Sequence, residues 1–531
     1  MAGGLLNIVA VGNNNIFLTG NPTKTFFKVA YSKYTNFGLQ KFRVDYTGLT
    51  ELRPSVPSTF RFKIPRYAEL LMDTYIVLSL PDIWSPIFNH TDGSGNNLYT
   101  PYEFKWIRNI GCAIIKEISI ECGSTIIQKY SGQYLANMVE RDFTTEKKNL
   151  FYKMSGNDPE LYDPANASSN YGNYPSADHT DDPLGAQPSI LGRSLVIPIN
   201  SWFMMNNGCS FPLISLQYNE LFISVTLRPI QELFQVCDVL DHDNNYPYIQ
   251  PDFNRSELQM YRFLQSPPAD VSSPMSYDNP TINTWNTDVH LMCTYCFLST
   301  DEAKVFATND QVYLLKDINE YNFEDIVGTS KLSLNSTGMV SSWMWFMQRS
   351  DVNTRNEWTN YTNLPYYNLN YELESFRQSG SGISITGAYK GWFKQEILKS
   401  MGILLNGDYR ENVLISDVYN YIEKYMRTAG FANNYLYCYN FCLNTNPMDY
   451  QPCGAINFNK FKDIQLEIST IIPTSNPNKM FSVLCDNDGN TIGTNKTFQS
   501  VYDYTFRMTL FEERFNILSF IGGNAGLMYA K

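Results

Sequence analysis

Two cysteine pairs have, or nearly have, the spacing of a metal knuckle: Cys293-Thr-Tyr-Cys296 and Cys438-Tyr-Asn-Phe-Cys442. Thiolates so spaced share a zinc ion when a tight turn brings them round to one point. Both pairs sit in apolar, aromatic runs without a glycine turn, and on a strand residues three apart face opposite ways. They are expected to be buried free thiols, a common core choice. The four histidines, His90, His179, His242 and His290, stand far apart, three of them in polar segments, which argues against a catalytic or metal cluster. Asp486-Asn-Asp-Gly-Asn490 has the look of a calcium loop, but its glycine comes too early and no Glu closes it, so it reads as a turn. Asp238 to Asn245, with Asp241 and Asp243, carries carboxylates enough to gather a cation at a chain junction; a solvated loop is the simpler reading. No Gly-x-Ser-x-Gly elbow and no phosphate loop occur. Gly522-Gly-Asn-Ala-Gly526 follows a strand with no helix behind it and reads as a flexible tail. The expectation is therefore no catalytic residue, no metal site and no cofactor.

Composition points the same way. Of 531 residues, 15% are aromatic, and 17% are charged against a usual share of about 25%. Such a chain commits much of its surface to protein contacts. The net charge of −12 and the lack of a Lys/Arg run argue against direct nucleic-acid binding, which needs clustered cations to displace counterions. The densest basic stretch, Arg141 to Lys153, interleaves Asp142 and Glu146 with Lys147 and Lys148 and reads as a solvated helix face. No run approaches the roughly 18 apolar residues of a membrane span. Met1 to Ala10 lacks the basic residues of a secretory signal, and Ala2 stands where myristoylation needs Gly. The chain is expected in the cytosol of whatever makes it, with its ten cysteines reduced. Six sequons, at Asn89, Asn166, Asn254, Asn335, Asn360 and Asn495, are near the number chance gives.

Residues of these kinds must be held by strands. Leu221, Ile223, Val225 and Leu227 alternate with polar positions, and Ile464–Ile468, Tyr504–Leu510 and Ile118–Cys122 repeat the pattern. Helical spacing appears over Gln133 to Lys153 and over Ser416 to Arg427. Long polar stretches, Asp158–Pro188 and Asn353–Asn370 among them, read as exposed decorations on a β core. Landmarks also recur. Ile118-Ser-Ile-Glu-Cys-Gly123 and Ile403-Leu-Leu-Asn-Gly407 each precede a helix, and each half then carries an alternating strand, Leu221–Leu227 or Ile464–Ile468. Two copies of one fold are expected, each with its own core, with the Cys122-Gly123 turn matching Asn406-Gly407 and a junction between Arg228 and Thr284.

Three further segments carry a resemblance. Leu18-Thr-Gly-Asn-Pro-Thr-Lys-Thr-Phe-Phe-Lys-Val-Ala-Tyr-Ser-Lys-Tyr-Thr-Asn-Phe37, Phe211-Pro-Leu-Ile-Ser-Leu-Gln-Tyr-Asn-Glu220 and Phe515-Asn-Ile-Leu-Ser-Phe-Ile-Gly-Gly-Asn-Ala-Gly-Leu-Met-Tyr-Ala530 resemble, in order, landmarks of the major capsid proteins of nucleocytoplasmic large DNA viruses. The resemblance spans the chain. It implies an all-β fold of two tandem eight-stranded jelly-roll sandwiches with short helical excursions and long loops. It further implies an arm at residues 1–25, an N-terminal jelly roll at 26–255 and a C-terminal one at 256–531. The implied role is structural, with no enzymatic activity: a homotrimer forming pseudo-hexameric capsomers that tile an icosahedral virion shell, assembled in the host cytoplasm. Implied partners are neighbouring capsomers, minor capsid or cement proteins and an inner viral membrane. Two rivals are a glycan-binding or glycoside-cleaving sandwich, which would need paired carboxylates beside an aromatic platform, and a penton-like component with one jelly roll.

Overall fold

In a computed structural model, residues 3–529 are described except 11, 92–96, 169, 178–185, 241–247, 365–395, 474–481, 486–490 and 496–503. Residues 1–37 form a separate unit. It holds a short helix at Gly3–Val9 and a single turn at Ile16–Thr19, and none of its described residues is buried. The arm thus extends beyond the expected residue 25, because no described residue joins a strand before β1, Phe37–Asp45.

The rest of the chain folds as two similar sandwiches. In the first, β1, β2 (Ser58–Lys63), β3 (Leu70–Leu80), β4 (Ile115–Cys122), β5 (Thr125–Tyr130), β6 (Arg193–Pro198), β7 (Phe211–Pro212), β8 (Leu221–Leu227) and β9 (His290–Leu298) make two sheets. One sheet runs β1-β9-β3-β7, with β6 sharing the β7 edge of β3; the other runs β2-β8-β4-β5. In the second sandwich, the strands are β10 (Gln311–Ile326), β11 (Thr329–Ser333), β12 (Met339–Arg349), β13 (Leu398–Leu405), β14 (Asp408–Ile415), β15 (Leu436–Asn440), β16 (Ile456–Asn457), β17 (Ile464–Thr470), β18 (Phe506–Ile521) and β19 (Asn524–Leu527). Their sheets run β10-β18-β12-β15, with β16 also on β12 and β19 on β18, and β11-β17-β13-β14. With β6/β7 and β15/β16 each counted as one interrupted edge, the two halves have the same eight strands in the same order, and β19 is an addition to the second.

The match extends to single residues. Cys122 opposes Leu221 as Leu405 opposes Ile464, and Ile120 opposes Ile223 as Ile403 opposes Leu466. The Gly123 N–H donates to the Glu220 carbonyl at 2.9 Å, and that of Asn406 to the Asp463 carbonyl at 2.8 Å. Gly123 therefore stands for Asn406, one position on from the expected alignment. Asn406 (φ 53°) and Gly407 (φ 90°) are both left-handed, the geometry a two-residue hairpin turn requires. Alternation sets the buried face: β8 and β17 both bury every second residue. Each aliphatic side chain so buried contributes about 1.5–3 kcal/mol.

Several expectations change. The division at residue 255/256 and the junction between Arg228 and Thr284 fall too early. Strand β9 lies beyond both yet pairs with β3, His290 facing Val77 and Cys296 facing Leu70. The first sandwich cannot close without it, so the chain passes to the second along the helix Thr300–Thr308. The cores are also less separate than expected. Trp343, Trp345 and Met347 of β12 enter a core private to the second sandwich, whereas Met344 and Phe346 join the core of the first. β18 divides likewise, with Met508 and Leu510 on one side and Phe511 and Leu518 on the other. A sheet buried on both faces shows a continuous apolar run rather than alternation.

The polar decorations are anchored where they are described. Leu161, Ala165 and Ala177 are buried, and the Tyr174 hydroxyl donates to the Phe104 carbonyl at 2.6 Å. Asn353–Leu364 lies on the first sandwich: Tyr361 donates to Asn137 Oδ1 at 2.9 Å, and the Trp358 indole N–H to the Glu232 carbonyl at 3.2 Å. The supposed flexible tail is the β18–β19 hairpin. Its Gly523 carbonyl accepts from the N–H groups of Gln217 and Tyr218, at 2.9 and 3.2 Å.

Candidate assembly surfaces and the buried interdomain cluster

The basic stretch read as solvated is where the two sandwiches lock together. The helix Gly132–Asp142 is capped by Ser131, whose Oγ accepts from the Tyr134 N–H, and buries nine of its 11 residues. At its end Arg141 donates to Asp142 Oδ2 at 2.7 Å and to Glu513 Oε1 of β18 at 2.6 Å. Tyr134 donates to the same Glu513 oxygen at 2.9 Å. Ser342 of β12 and Lys316 of β10 approach Glu513 Oε2 at 2.9 and 3.5 Å, while Thr445 donates to Asp142 Oδ1 at 2.5 Å. Lys148 is buried too, on Glu140 Oε2 at 2.8 Å. Burial by itself would raise the Glu513 carboxyl, but Arg141 and Lys316, with the Arg141 and Ser342 hydrogen bonds, hold it at about 2. Burial keeps Asp142 above its ordinary value, with Arg141 offsetting only part. Counter-charges across the boundary, invisible in a linear reading, are what allow these groups inside.

Gly430 fits the same joint. Its N–H donates to the Arg141 carbonyl at 3.0 Å, and a Cβ there would lie 2.5 Å from that oxygen. Edge strand β5 completes the contact: Ile127, Gln128 and Tyr130 are buried, and Gln128 Nε2 donates to the Lys316 carbonyl of β10 at 2.8 Å. The first sandwich thus presents an edge hairpin and the following helix to the first strand of the second.

The second sandwich repeats those parts, and among the described residues they stay exposed. Its edge strand β14 exposes Tyr409, Val413 and Ile415. The helical segment that follows, Val418–Arg427, exposes Tyr421, Ile422, Tyr425 (87% exposed) and Met426. Its buried side anchors it: the Tyr419 hydroxyl donates to the Met401 carbonyl at 2.9 Å, and Lys424 donates to Asn420 Oδ1 at 2.9 Å. Burial lowers the Lys424 ammonium to about 8. The counterpart of β10 in the first sandwich, β1, is exposed along nearly its whole length.

Among the described residues, those considered for chemistry are not brought together. Cys293 and Cys296 are buried on β9 and Cys438 on β15, and burial pushes the thiols of Cys293 and Cys438 up to about 12. His290 pairs with the backbone carbonyl of Asp288 at 2.7 Å. Asp238 is held by both Nη atoms of Arg255, at 2.6 and 2.8 Å. Among the described residues no three His, Cys, Asp or Glu side chains form a metal-sized group. His179, His242, Asp241, Asp243 and Asp486–Asn490 lie outside the described residues, as does the side chain of His90. Sequon Asn360 is buried, its Nδ2 donating to the Leu364 carbonyl at 2.9 Å.

Two jelly rolls in tandem, one helix-locked onto the other, define the double jelly-roll class of capsid proteins. Residues 25–299 match the family described as major capsid protein N-terminus, and residues 302–526 that of the large eukaryotic DNA virus major capsid protein. The chain belongs to this family. It is 24% identical to a probable capsid protein 4 of Acanthamoeba polyphaga mimivirus, over 91% of this chain and 95% of the relative. It is 21% identical to the major capsid protein of Paramecium bursaria Chlorella virus 1 over the full length of both. Among solved structures, the PBCV-1 virus capsid in a quasi-atomic model aligns with a TM-score of 0.61 at 17% identity, covering 96% of this chain and 100% of that one. The Faustovirus major capsid protein aligns with a TM-score of 0.61 at 10% identity, over 96% and 94%. The chain is a structural component of a virion capsid and not an enzyme.

Proposed function

We propose that the chain forms a homotrimer, a pseudo-hexameric capsomer that tiles the icosahedral shell of a large double-stranded DNA virus, built in the host cytoplasm. The carrying observation is the mismatch between two equivalent surfaces. Within one chain, β5 and the helix Gly132–Asp142 cover the first strand of the next sandwich. Their counterparts, β14 and Val418–Arg427, expose apolar side chains, and β1 is exposed along most of its length. Placing β14 and its helix on β1 of a second copy repeats the internal contact. Such a head-to-tail contact closes into a ring, and three copies supply six similar sandwiches. Neighbouring capsomers, minor capsid or cement proteins and an inner membrane would be further partners. The arm, with exposed Phe26, Phe27, Tyr31 and Tyr34 interspersed with Lys24, Lys28 and Lys33, suits contacts beyond the capsomer.

Light scattering on the purified protein tests the reading. A stable mass three times the 61.0 kDa of one chain is expected at micromolar concentration, since interfaces of this kind bury about 2,000 Å² or more. Ile422→Lys combined with Tyr425→Lys should give the monomer with the fold retained. A wild-type protein that stays monomeric would overturn it.

A further inference from the structure

We infer that Cys442 and Cys453 form a latent cystine site, reduced when the chain folds and closed by exchange with a small-molecule disulfide. The two segments that carry them run side by side between β15 and β16. The Leu443 N–H donates to the Cys453 carbonyl at 3.3 Å, and a Cβ on Gly454 would stand 3.3 Å from Cys442 Cα. Both thiols point at one atom: Cys442 Sγ and Cys453 Sγ lie 3.2 and 3.0 Å from the Asn444 carbonyl oxygen. The two sulfurs therefore flank a single acceptor. All nine described cysteines are free thiols, and of them Cys442 and Cys453 are the pair held on one acceptor.

Their surroundings divide the work. Cys453 is partly exposed, and its sulfur accepts a hydrogen bond from the Asn444 N–H at 3.3 Å, which holds it in place. Both cysteines line a cavity of about 330 Å³ with Lys316, Asn444, Asp449 and Tyr450, which gives a reagent room to enter. Burial pushes the Cys442 thiol up to about 11, with Lys316 pulling the other way, so Cys442 suits the second step. Cys112, Cys293 and Cys438, wholly inside the core, have no such access.

The chemistry balances without a metal or enzyme. Cys453 thiolate attacks one sulfur of glutathione disulfide and expels one glutathione thiolate, leaving a mixed disulfide. Cys442, having lost its proton to solvent, attacks the Cys453 sulfur and expels the second thiolate. Two cysteine thiols are oxidised, one glutathione disulfide is reduced to two thiols, and the leaving groups take up the two protons. The bond would tie off the loop that carries Thr445, on Asp142, and Met448, whose carbonyl accepts from Asn206 Nδ2 at 3.1 Å. It would thus fasten the loop between the sandwiches. A shell built in a reducing compartment and released into an oxidising one would acquire the bond after assembly; that timing rests on the function proposed above, the exchange itself does not.

The full-length reduced protein is incubated with glutathione disulfide, denatured under acid quench, and its thiols are counted and its peptides mapped. Eight of the ten thiols should remain, with a peptide joined through Cys442 and Cys453 and two hydrogens lost in mass. Cys112→Ser should keep the joined peptide, and Cys453→Ser should lose it. Ten thiols after incubation, a mixed disulfide that persists at Cys453, or a bond between other cysteines would each overturn the site.

Discussion

Arg141, at the end of a helix of the first sandwich, and Glu513, in strand β18 of the second, meet at 2.6 Å with each side chain 1% exposed. They are 372 positions apart in the chain. Neither charge is tolerable without the other. The pair therefore marks the relative placement of the two sandwiches more sharply than the apolar contact around it, which is non-directional.

Removing one partner strands the rest. Arg141→Met leaves Asp142 and Glu513 buried with Lys316 as their remaining neighbouring cation, and should cost about 3–5 kcal/mol of stability. The triple replacement Arg141→Met, Asp142→Asn, Glu513→Gln should recover most of that loss, because no buried charge is left unpaired. Guanidinium unfolding at fixed protein concentration measures both. A single variant within about 1 kcal/mol of wild type would mean that water reaches the cluster.

Acid should release the same joint. The Glu513 carboxyl sits at about 2 in the folded chain, below its unfolded value of about 4.3. A depressed carboxylate stabilises fully above its unfolded value, and that contribution is lost as pH falls towards 2. It amounts to about 3 kcal/mol at most, at about 1.4 per pH unit. Asp142, raised by burial, has the opposite sign and blunts the effect. Unfolding of wild type and Glu513→Gln from pH 5 to pH 2 should show a steeper loss for wild type, with parallel curves as the contrary result.

Glycine substitutions should sort by what surrounds each position. Gly430→Ala drives a methyl into the Arg141 carbonyl and should cost about 1–3 kcal/mol. Gly407→Ala meets open space but needs φ of 90°, and should cost about 1–2 kcal/mol through the β13–β14 hairpin alone. Gly38→Ala meets nothing within 4 Å and should be close to neutral. Thermal unfolding of the three side by side checks the order; equal shifts would remove the close approach at Gly430 as a cause.

What the sequence determined by itself was local and repeated. Alternation in Leu221–Leu227 and Ile464–Ile468 set which face is buried, since a strand has a period of two whatever surrounds it. The glycine turns at Gly123 and Asn406-Gly407 placed the hairpins, because positive φ is a property of residue type. The order of those landmarks showed the duplication, and the opening and closing segments carried the family. What tertiary structure alone decided lay at the seam between the sandwiches. Arg141, Asp142 and Lys148 look like a solvated helix face, and only the arrival of Glu513, Thr445 and the carbonyl of Phe431 makes them interior. The apolar run of β12 does not disclose that Trp345 and Phe346 belong to different cores, because that depends on a second surface covering the sheet. The boundary falls later for the same reason: β9 closes the first sandwich by pairing His290 with Val77 of β3, 213 residues earlier, and long-range pairing leaves no mark in nearby residues.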